Sequence, residues 1–378
     1  MERKTILVVS PSLAIGGREK IALNTIRCFD ELGYRAVLVV FRRCEREYPF
    51  DGERIDLEEP LHPGTAGRIR AQLVWARKLR RLRQQYRAEC VYSLGEAANI
   101  ANVLSGRSGG GKTVISLHDN AELRTGFVPG WVYRHADRVV CIAQDMQYRL
   151  KQLYPGLDNT MVIENGCELP AVGAGKDAPA GSGSLRIAAM GRLNEVKGFD
   201  RLITSFCVIR HAVPDAVLTI IGKGAGEEKL KTLVRGLGLR DAVRFPGFLP
   251  DPVPVLVQHN MFALTSYEEG FPNALIEAMG CGLPVVASDC PTGPREILSA
   301  SYSPDPVRET RTEKYGVLVE NSDTGFESRF AGAVVDLWND PDRRTEYEET
   351  CPQRAGDFSL ERYRDKLKEL LNDSDDRK

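Results

Sequence analysis

Short runs of apolar, largely β-branched residues alternate along almost the whole chain with segments whose apolar positions recur every three to four residues. This alternation predicts parallel sheets covered on both faces by helices. The runs form two series. The first predicts strands at Thr5–Val9, Ala36–Phe41, Cys90–Ser93, Thr113–Leu117, Arg138–Ile142 and Thr160–Ile163. The second predicts strands at Leu185–Met190, Val217–Ile221, Val243–Phe245, Met261–Leu264, Pro284–Ala287 and Gly316–Val319. Glu168–Ser184 separates them; it is rich in Gly, Ala and Pro, lacks periodicity, and reads as a linker or exposed hinge loop. Helical periodicity resumes over Ser328–Asn339, Asp342–Cys351 and Leu360–Leu371, before a charged tail.

The fold class is therefore α/β, with two doubly wound Rossmann-like domains facing across a cleft. Residues 1–167 form the first, 168–184 the linker, 185–357 the second, and 358–378 a C-terminal helix and tail. Ligands of such sheets bind beyond the carboxyl ends of the strands, which directs attention to the strand-to-helix loops.

Composition removes several function classes. A length of 378 residues supports two cores, and a formal net charge of -1 provides no global attraction for nucleic acid. The 9 cysteines are scattered singly, without a Cys-x-x-Cys pair or metal-like spacing, as in a reduced cytoplasmic chain. Ile6-Leu-Val-Val9 is too short an apolar run for a signal peptide, and no stretch reaches membrane-spanning length.

Glu269-Gly-Phe-Pro-Asn-Ala-Leu-Ile-Glu277 places two carboxylates across a loop-to-helix junction. Pro272 suits a first helical turn, and Asn273–Met279 continues as a helix. The helix entrance at Gly270, Phe271, Pro272, Asn273 and Ala274 presents a positive dipole end suited to a diphosphate. Eight helical steps span about 12 Å. Carboxylates flanking one scissile glycosidic bond stand roughly 5–9.5 Å apart, so contacts to two different sugar rings fit better than a hydrolase pair. Gly191-Arg192-Leu-Asn-Glu-Val-Lys197-Gly198 follows an apolar strand and precedes a helix, placing two cations where they can neutralise a diphosphate leaving group.

Gly16-Gly17 opens the helix after the first strand, where backbone can approach a ligand closely. His118 ends a strand and faces the same cleft, suited to hydrogen bonding or acid–base chemistry. Two other signals conflict with their context. Gly106–Thr113 matches the phosphate-loop pattern but joins a helix to a strand, the reverse of what phosphate binding needs. Asp340-Pro-Asp342 and Asp373-Ser-Asp375 resemble a metal motif by letters only, and neither is taken as a metal site. Finally, Arg68–Arg87 carries eight cations and no acid, with Ile69, Leu73, Ala76, Leu79, Leu82 and Tyr86 at helical spacing. The apolar stripe is expected to pack on the core. The basic face, including Arg77, Lys78, Arg80 and Arg81, would look outward, either as a solvated face or toward anionic lipid or a lipid diphosphate acceptor.

Taken in order, these motifs resemble glycosyltransferase family 4, retaining transferases of the GT-B fold, over essentially the whole chain. The resemblance rests on Glu269 and Glu277, on Gly191, Arg192, Lys197 and Gly198, and on Gly16-Gly17. Val162-Ile-Glu-Asn-Gly166, Cys281-Gly-Leu-Pro-Val-Val-Ala287 and Tyr315-Gly-Val-Leu-Val319 are similar as well. It implies an N-terminal acceptor-binding domain, a C-terminal nucleotide-sugar domain, and a final helix crossing back onto the first. Glu269 would contact donor-hexose hydroxyls and Glu277 the ribose. Arg192 and Lys197 would bind the diphosphate with backbone at Gly16, Gly17, Gly191 and the 270–274 entrance. His118 would approach the donor sugar, and Gly247-Phe248-Leu249 the base.

The resemblance further implies same-face displacement without a metal or other cofactor, with a UDP-sugar favoured as donor and GDP-mannose next. Cys290-Pro-Thr-Gly-Pro-Arg-Glu296 and Gly16-Gly-Arg-Glu19 are similar to enzymes of bacterial surface-polysaccharide or lipid-linked oligosaccharide synthesis. Such a protein would be cytoplasmic and peripheral on the inner face of the membrane, acting on a polyprenyl-diphosphate-linked or other membrane-associated glycan. Competing readings are a GT-B-like nucleotide-sugar epimerase, a phosphate-loop nucleotide switch, and a non-enzymatic nucleotide-sugar sensor. The transferase reading predicts that Lys197→Ala or Glu269→Ala abolishes transfer without unfolding the chain.

Overall fold

The computed structural model describes residues 3–58, 64–106, 110–170 and 183–372. Most of the expected linker, the centre of the Gly106–Thr113 connection and the Asp373-Ser-Asp375 motif lie outside the described residues. The chain divides into two units, Met1–Gly166 with Leu360–Lys378, and Cys167–Ser359.

The first unit runs β1 (Thr5–Ser10), α1 (Gly17–Glu31), β2 (Arg35–Val40), β3 (Arg54–Asp56), α2 (Gly64–Gln85), β4 (Cys90–Leu94), α3 (Glu96–Gly106) and β5 (Lys112–Leu117). It continues through α4 (Phe127–His135), β6 (Arg138–Cys141), α5 (Gln144–Leu153) and β7 (Thr160–Val162). The sheet order is β3-β2-β1-β4-β5-β6-β7, and the paired strands are parallel. All six residues of β1 are buried because helices cover both faces, which explains its unbroken apolar run. Strand order reverses direction between β1 and β4, where a crevice forms at the carboxyl ends.

The second unit contains β8 (Arg186–Met190), α6 (Phe199–Ala212), β9 (Val217–Ile221), α7 (Glu227–Gly236), β10 (Val243–Gly247), α8 (Val253–Leu256) and β11 (Met261–Leu264). Then follow α9 (Asn273–Gly280), β12 (Val285–Ser288), α10 (Pro294–Leu298), β13 (Arg311–Glu313), β14 (Gly316–Val319), α11 (Phe326–Asn339) and α12 (Pro341–Gly356). Its order is β10-β9-β8-β11-β12-β14-β13, parallel except for the edge pair β13–β14. The switch here lies between β8 and β11. Two strands escaped the hydrophobic pattern, β3 and β13. Both are three-residue edge strands rich in charged side chains, so neither leaves an apolar run to read.

The final helix, α13 (Leu360–Asn372), belongs to the first unit. Tyr363, Leu367, Leu370 and Leu371 join the apolar cluster of Ile21, Phe29 and Tyr92. Tyr363 Oη lies 2.7 Å from Thr25 Oγ1, and Lys112 donates to the Leu371 carbonyl at 3.0 Å.

The structure corrects the reading of α2. Its core face is Ala71, Trp75, Ala76, Leu79 and Arg83, whereas Ile69 and Leu73 are 58% and 59% exposed. The line 71-75-79-83 meets the sheet and α3, and residues 69 and 73 project to one side of it. Arg83 is therefore not part of the basic face. Its guanidinium donates to Ser105 Oγ at 2.9 Å, the Gly110 carbonyl at 2.9 Å, Thr113 Oγ1 at 3.0 Å and, closely, to Asn102 Oδ1. Burial lowers its pKa to about 10.

The same contacts dispose of the phosphate-loop reading. The connection leaves the carboxyl end of α3, the wrong dipole end for an anion, and Gly110 and Gly111 turn carbonyl oxygens toward an internal cation.

Candidate active site

In the second unit the loop after β8 and the loop after β11 meet at the switch point. Gly198 makes this approach possible: its φ is +60°, and a Cβ there would collide with the Thr265 carbonyl oxygen. Gly222 (φ +144°) likewise lies against the Gly191 backbone, and Leu193 donates to the Lys223 carbonyl at 3.0 Å. The Gly222–Gly226 loop thus buttresses the Arg192 loop from the neighbouring strand.

Lys197 and Glu269, separated by 72 positions, are brought into direct contact. Lys197 Nζ lies 2.7 and 2.6 Å from the two carboxylate oxygens, and Ser266 Oγ donates to Oε1 at 2.6 Å. The Glu269 side chain is only 5% exposed and that of Lys197 26%. A carboxylate so enclosed is retained by charge-assisted hydrogen bonds. Arg192 differs: it is exposed, and its side chain makes no ion pair or hydrogen bond among the described residues. Lys223 is also exposed and lies beside Gly247 at the end of β10. The carboxyl edge therefore presents cations on two adjacent strand ends, with a lysine–carboxylate pair at the switch.

The frame around Glu269 was largely hidden from sequence reasoning. Arg201 on α6 lies between the rings of Tyr267 and Phe326, 3.9 Å from each centroid, and donates to the Thr265, Ser266 and Asn321 oxygens. Burial lowers its pKa. Thr292 Oγ1 donates to the Glu269 carbonyl, while the Glu269 N–H donates to Pro291 O at 3.2 Å. Asp289, buried, accepts both arms of Arg295 at 3.0 and 2.9 Å. Ser266, three residues before Glu269, was the one local signal available. A sandwiched Arg201 has none, because its letter does not distinguish it from a surface arginine.

Pro272 stands outside the first helical turn, contrary to expectation. Its ψ is 81°, and its carbonyl accepts from Leu275 and Ile276, so it precedes α9, which starts at Asn273. Phe271 is buried and meets Phe358 edge to face at 5.4 Å. Gly270, Asn273, Ala274 and Glu277 are half-buried, with Glu277 on α9. Gly247 closes β10 at φ +84°, followed by the 36% exposed Phe248 and half-buried Leu249. Asp340 caps α12 by accepting from the Arg343 N–H at 2.9 Å.

In the first unit, Gly16 precedes α1 and Gly17 begins it. Arg18 reaches Gly95, after β4, and its Nε is buried without a hydrogen-bond partner among the described residues. His118 is half-buried after β5, its Nε2 3.0 Å from Ser116 Oγ. Burial, reinforced by Arg18, lowers the imidazole pKa to about 3. Beneath it the buried Glu122 accepts from the His118 N–H at 2.8 Å and from Asn99 Nδ2 at 3.2 Å. Burial raises the Glu122 pKa to about 8, opposed by the His118 N–H and aided by Asp119. At neutral pH the crevice thus holds an uncharged imidazole above a largely protonated carboxyl group.

Two family models match the chain: Glycosyltransferase Family 4 over residues 15–169 and Glycosyl transferases group 1 over residues 176–349. An uncharacterized glycosyltransferase of Methanocaldococcus jannaschii is 30% identical over 254 residues, covering 61% of this chain and 62% of that one. The Campylobacter jejuni N-acetylgalactosamine-N,N'-diacetylbacillosaminyl-diphospho-undecaprenol 4-alpha-N-acetylgalactosaminyltransferase is 31% identical over 186 residues, 49% of this chain and 46% of that one. The chain thus spans less than two thirds of the length of these relatives. The fold is shared with Anabaena HepE, solved with UDP and glucose, at a TM-score of 0.75 and 21% identity over 97% of this chain and 99% of that one.

Proposed function

Because the chain belongs to the glycosyltransferases, with family 4 matching its first half and group 1 its second, we propose that it is a retaining hexosyl- or N-acetylhexosaminyltransferase. The donor is a nucleotide-diphosphate sugar, with UDP-sugars first and GDP-mannose next. The acceptor is a polyprenyl-diphosphate-linked or other membrane-associated glycan in polysaccharide synthesis, met by a cytoplasmic enzyme peripheral on the inner membrane face. The Campylobacter relative's named diphospho-undecaprenol substrate supports this acceptor class, and the UDP and glucose bound to the Anabaena protein support the donor. Among the described residues, no helix is long and apolar enough to cross a membrane.

The observation carrying the proposal is the meeting of the Arg192–Lys197 loop with Glu269 at the switch point of the second unit. Arg192 and Lys197 neutralise the donor diphosphate, Glu269 orients both Lys197 and the hexose hydroxyls, and Glu277 holds the ribose. The bond from the anomeric carbon to the leaving phosphate oxygen breaks as the acceptor oxygen bonds on the same face. The departing phosphate takes the acceptor proton. Cationic stabilisation of the leaving group is the required protein contribution, and neither a metal nor another cofactor participates. His118 is a neutral hydrogen-bonding partner for the donor sugar, since burial keeps it unprotonated.

The test is incubation with UDP-, GDP- and ADP-sugars in the presence and absence of EDTA, following nucleoside diphosphate release and the anomeric configuration of the product. EDTA-insensitive turnover of one donor with retention is expected. Inversion, EDTA inactivation, or an Arg192→Ala enzyme of undiminished activity overturns the mechanism.

A further inference from the structure

Lys197 and Glu269 lie on separate loops, and one buried side chain packs against both. Arg201, 3% exposed, stands in the first turn of α6, directly after the Lys197 loop. Its Nε donates to the Thr265 carbonyl at 2.6 Å, and its Nη2 to the Ser266 carbonyl at 2.5 Å and to Asn321 Oδ1 at 2.7 Å. A Cβ on Gly198 would come within 2.8 Å of the same Nε. The rings of Tyr267 and Phe326, each with its centroid 3.9 Å away, hold the planar fork in one orientation.

These contacts form one lattice. Thr265 Oγ1 donates to the Gly198 carbonyl at 2.9 Å and the Tyr267 N–H to the Val196 carbonyl at 2.8 Å, so the residues on both sides of Lys197 are tied to the chain just before Glu269. Asn321, after β14, donates onward to the Tyr267 carbonyl at 3.2 Å, and Ser288 Oγ, at the end of β12, to the Ser266 carbonyl at 2.7 Å. No carboxylate pairs with Arg201 among the described residues, and its buried Nη1 makes no hydrogen bond there. An internal cation without a counter-ion carries a desolvation cost that a methionine of similar length avoids. Stability alone therefore does not account for a guanidinium here, whereas its three fixed acceptors do set the path of the Glu269 loop.

We propose that Arg201 is a positioning residue for transfer: by fixing the Thr265 and Ser266 carbonyls it sets Glu269 at contact distance from Lys197, so that both meet the donor with their geometry already formed. The inference rests on the transferase reading and adds to it a residue that acts only through the backbone of the loop.

Arg201→Met and Arg201→Lys are compared with wild type by initial rates across donor concentration, each rate divided by the folded fraction from circular dichroism, and by nucleoside diphosphate titration. For both variants kcat falls about 10–10²-fold, while donor KM and nucleoside diphosphate Kd stay within about threefold; lysine does not rescue, because a point charge cannot reproduce the fork. A merely structural residue would lower the folded fraction and leave kcat per folded molecule unchanged, and that result overturns the proposal. A second measurement needs no turnover. The melting-temperature loss caused by Lys197→Met should shrink to less than about half in the Arg201→Met background, since a displaced Glu269 no longer depends on the ammonium. An equal loss in both backgrounds overturns the positioning role, whereas a wild type inactive with every donor yet showing the smaller loss supports the clamp and rejects the transferase reading. Should Arg201→Met fail to fold, Asn321→Ala and Tyr267→Leu, at half-buried and exposed positions, must show the same two effects in smaller measure; wild-type values in both overturn the proposal.

Discussion

Replacing Lys197 by methionine keeps the aliphatic stem and removes the charge that encloses Glu269. The carboxylate, 5% exposed, then retains the Ser266 hydroxyl but loses two close contacts to the ammonium. Exposed ion pairs contribute about 0–1 kcal/mol, while stripping one partner from a buried pair costs about 3–5 kcal/mol. With the lysine end 26% exposed, the expected cost is about 3 kcal/mol, near the lower edge of the buried range. For a unit of this size that lowers the melting temperature by about 6–12 °C. Glu269→Gln leaves Lys197 free to turn toward solvent and costs about 1 kcal/mol. The double variant has no stranded charge, and its stability returns to within about 1 kcal/mol of wild type.

Thermal unfolding of the four proteins forms the cycle. A Lys197→Met melting temperature within about 2 °C of wild type, or additive losses in the double variant, would refute the reasoning. The pairing adds a stability cost to the expectation that Lys197→Ala silences transfer without unfolding the chain. Because Lys197 contributes to stability through Glu269, lost transfer in Lys197→Ala would not by itself assign it the role at the diphosphate proposed above.

Arg192→Ala is the cleaner probe: the side chain is exposed and without a partner among the described residues, so stability should change by less than about 0.5 kcal/mol, while kcat falls about 10²–10³-fold, as measured by initial rates. In the first unit, the unfolded state holds a proton on His118 below pH about 6.5 and on Glu122 below about 4.5, whereas the folded values are about 3 and about 8. Between about pH 4.5 and 6.5 both states therefore carry one proton across the pair, and these groups give flat stability. Above about 6.5 the folded state holds the extra proton, so stability falls as pH rises toward about 8; below about 4.5 the unfolded state holds it, so stability falls toward about 3. Urea unfolding across pH should show both arms, and Glu122→Gln should remove the alkaline one. Leu367→Ala, at a fully buried position of α13, should cost about 2–5 kcal/mol in chemical denaturation, and an effect below about 1 kcal/mol would remove that helix from the core of the first unit.

What could be read in advance follows from how each feature writes itself into the chain. Central strands such as β1 and β11 are buried along their whole length and leave apolar runs. The edge strands β3 and β13 leave none. The Arg192–Lys197 and Glu269–Glu277 motifs were legible because loop and helix entrance adjoin apolar strands. That Lys197 and Glu269 touch was not, since contact across 72 positions depends on the strand order β8-β11. The α2 error has a similar origin. Helical spacing identifies an apolar stripe, but only the neighbouring sheet and α3 decide which stripe is buried, and here the choice admitted Arg83 and left Ile69 and Leu73 outside.

The two switch points differ in charge, and that difference bears on which half of the reaction each unit serves. At the second unit's switch, Arg192, Lys197 and Lys223 stand on adjacent strand ends, with Glu269 paired to Lys197 and Glu195 to Lys229, so Arg192 and Lys223 bias the local field toward a phosphate-bearing ligand. At the first unit's switch, burial keeps His118 neutral and Glu122 largely protonated at neutral pH, leaving Arg18 paired with Glu19. Such a crevice discriminates by hydrogen bonds and suits the hydroxyls of a sugar more than a diphosphate. A transferase whose leaving group carries the charge needs this asymmetry, because cations spread over both crevices would hold the nucleoside diphosphate product as firmly as the transition state. The asymmetry yields a discriminating measurement: nucleoside diphosphate affinity should fall on Arg192→Ala and remain unchanged on Glu122→Gln. Equal losses in both variants would reject the division.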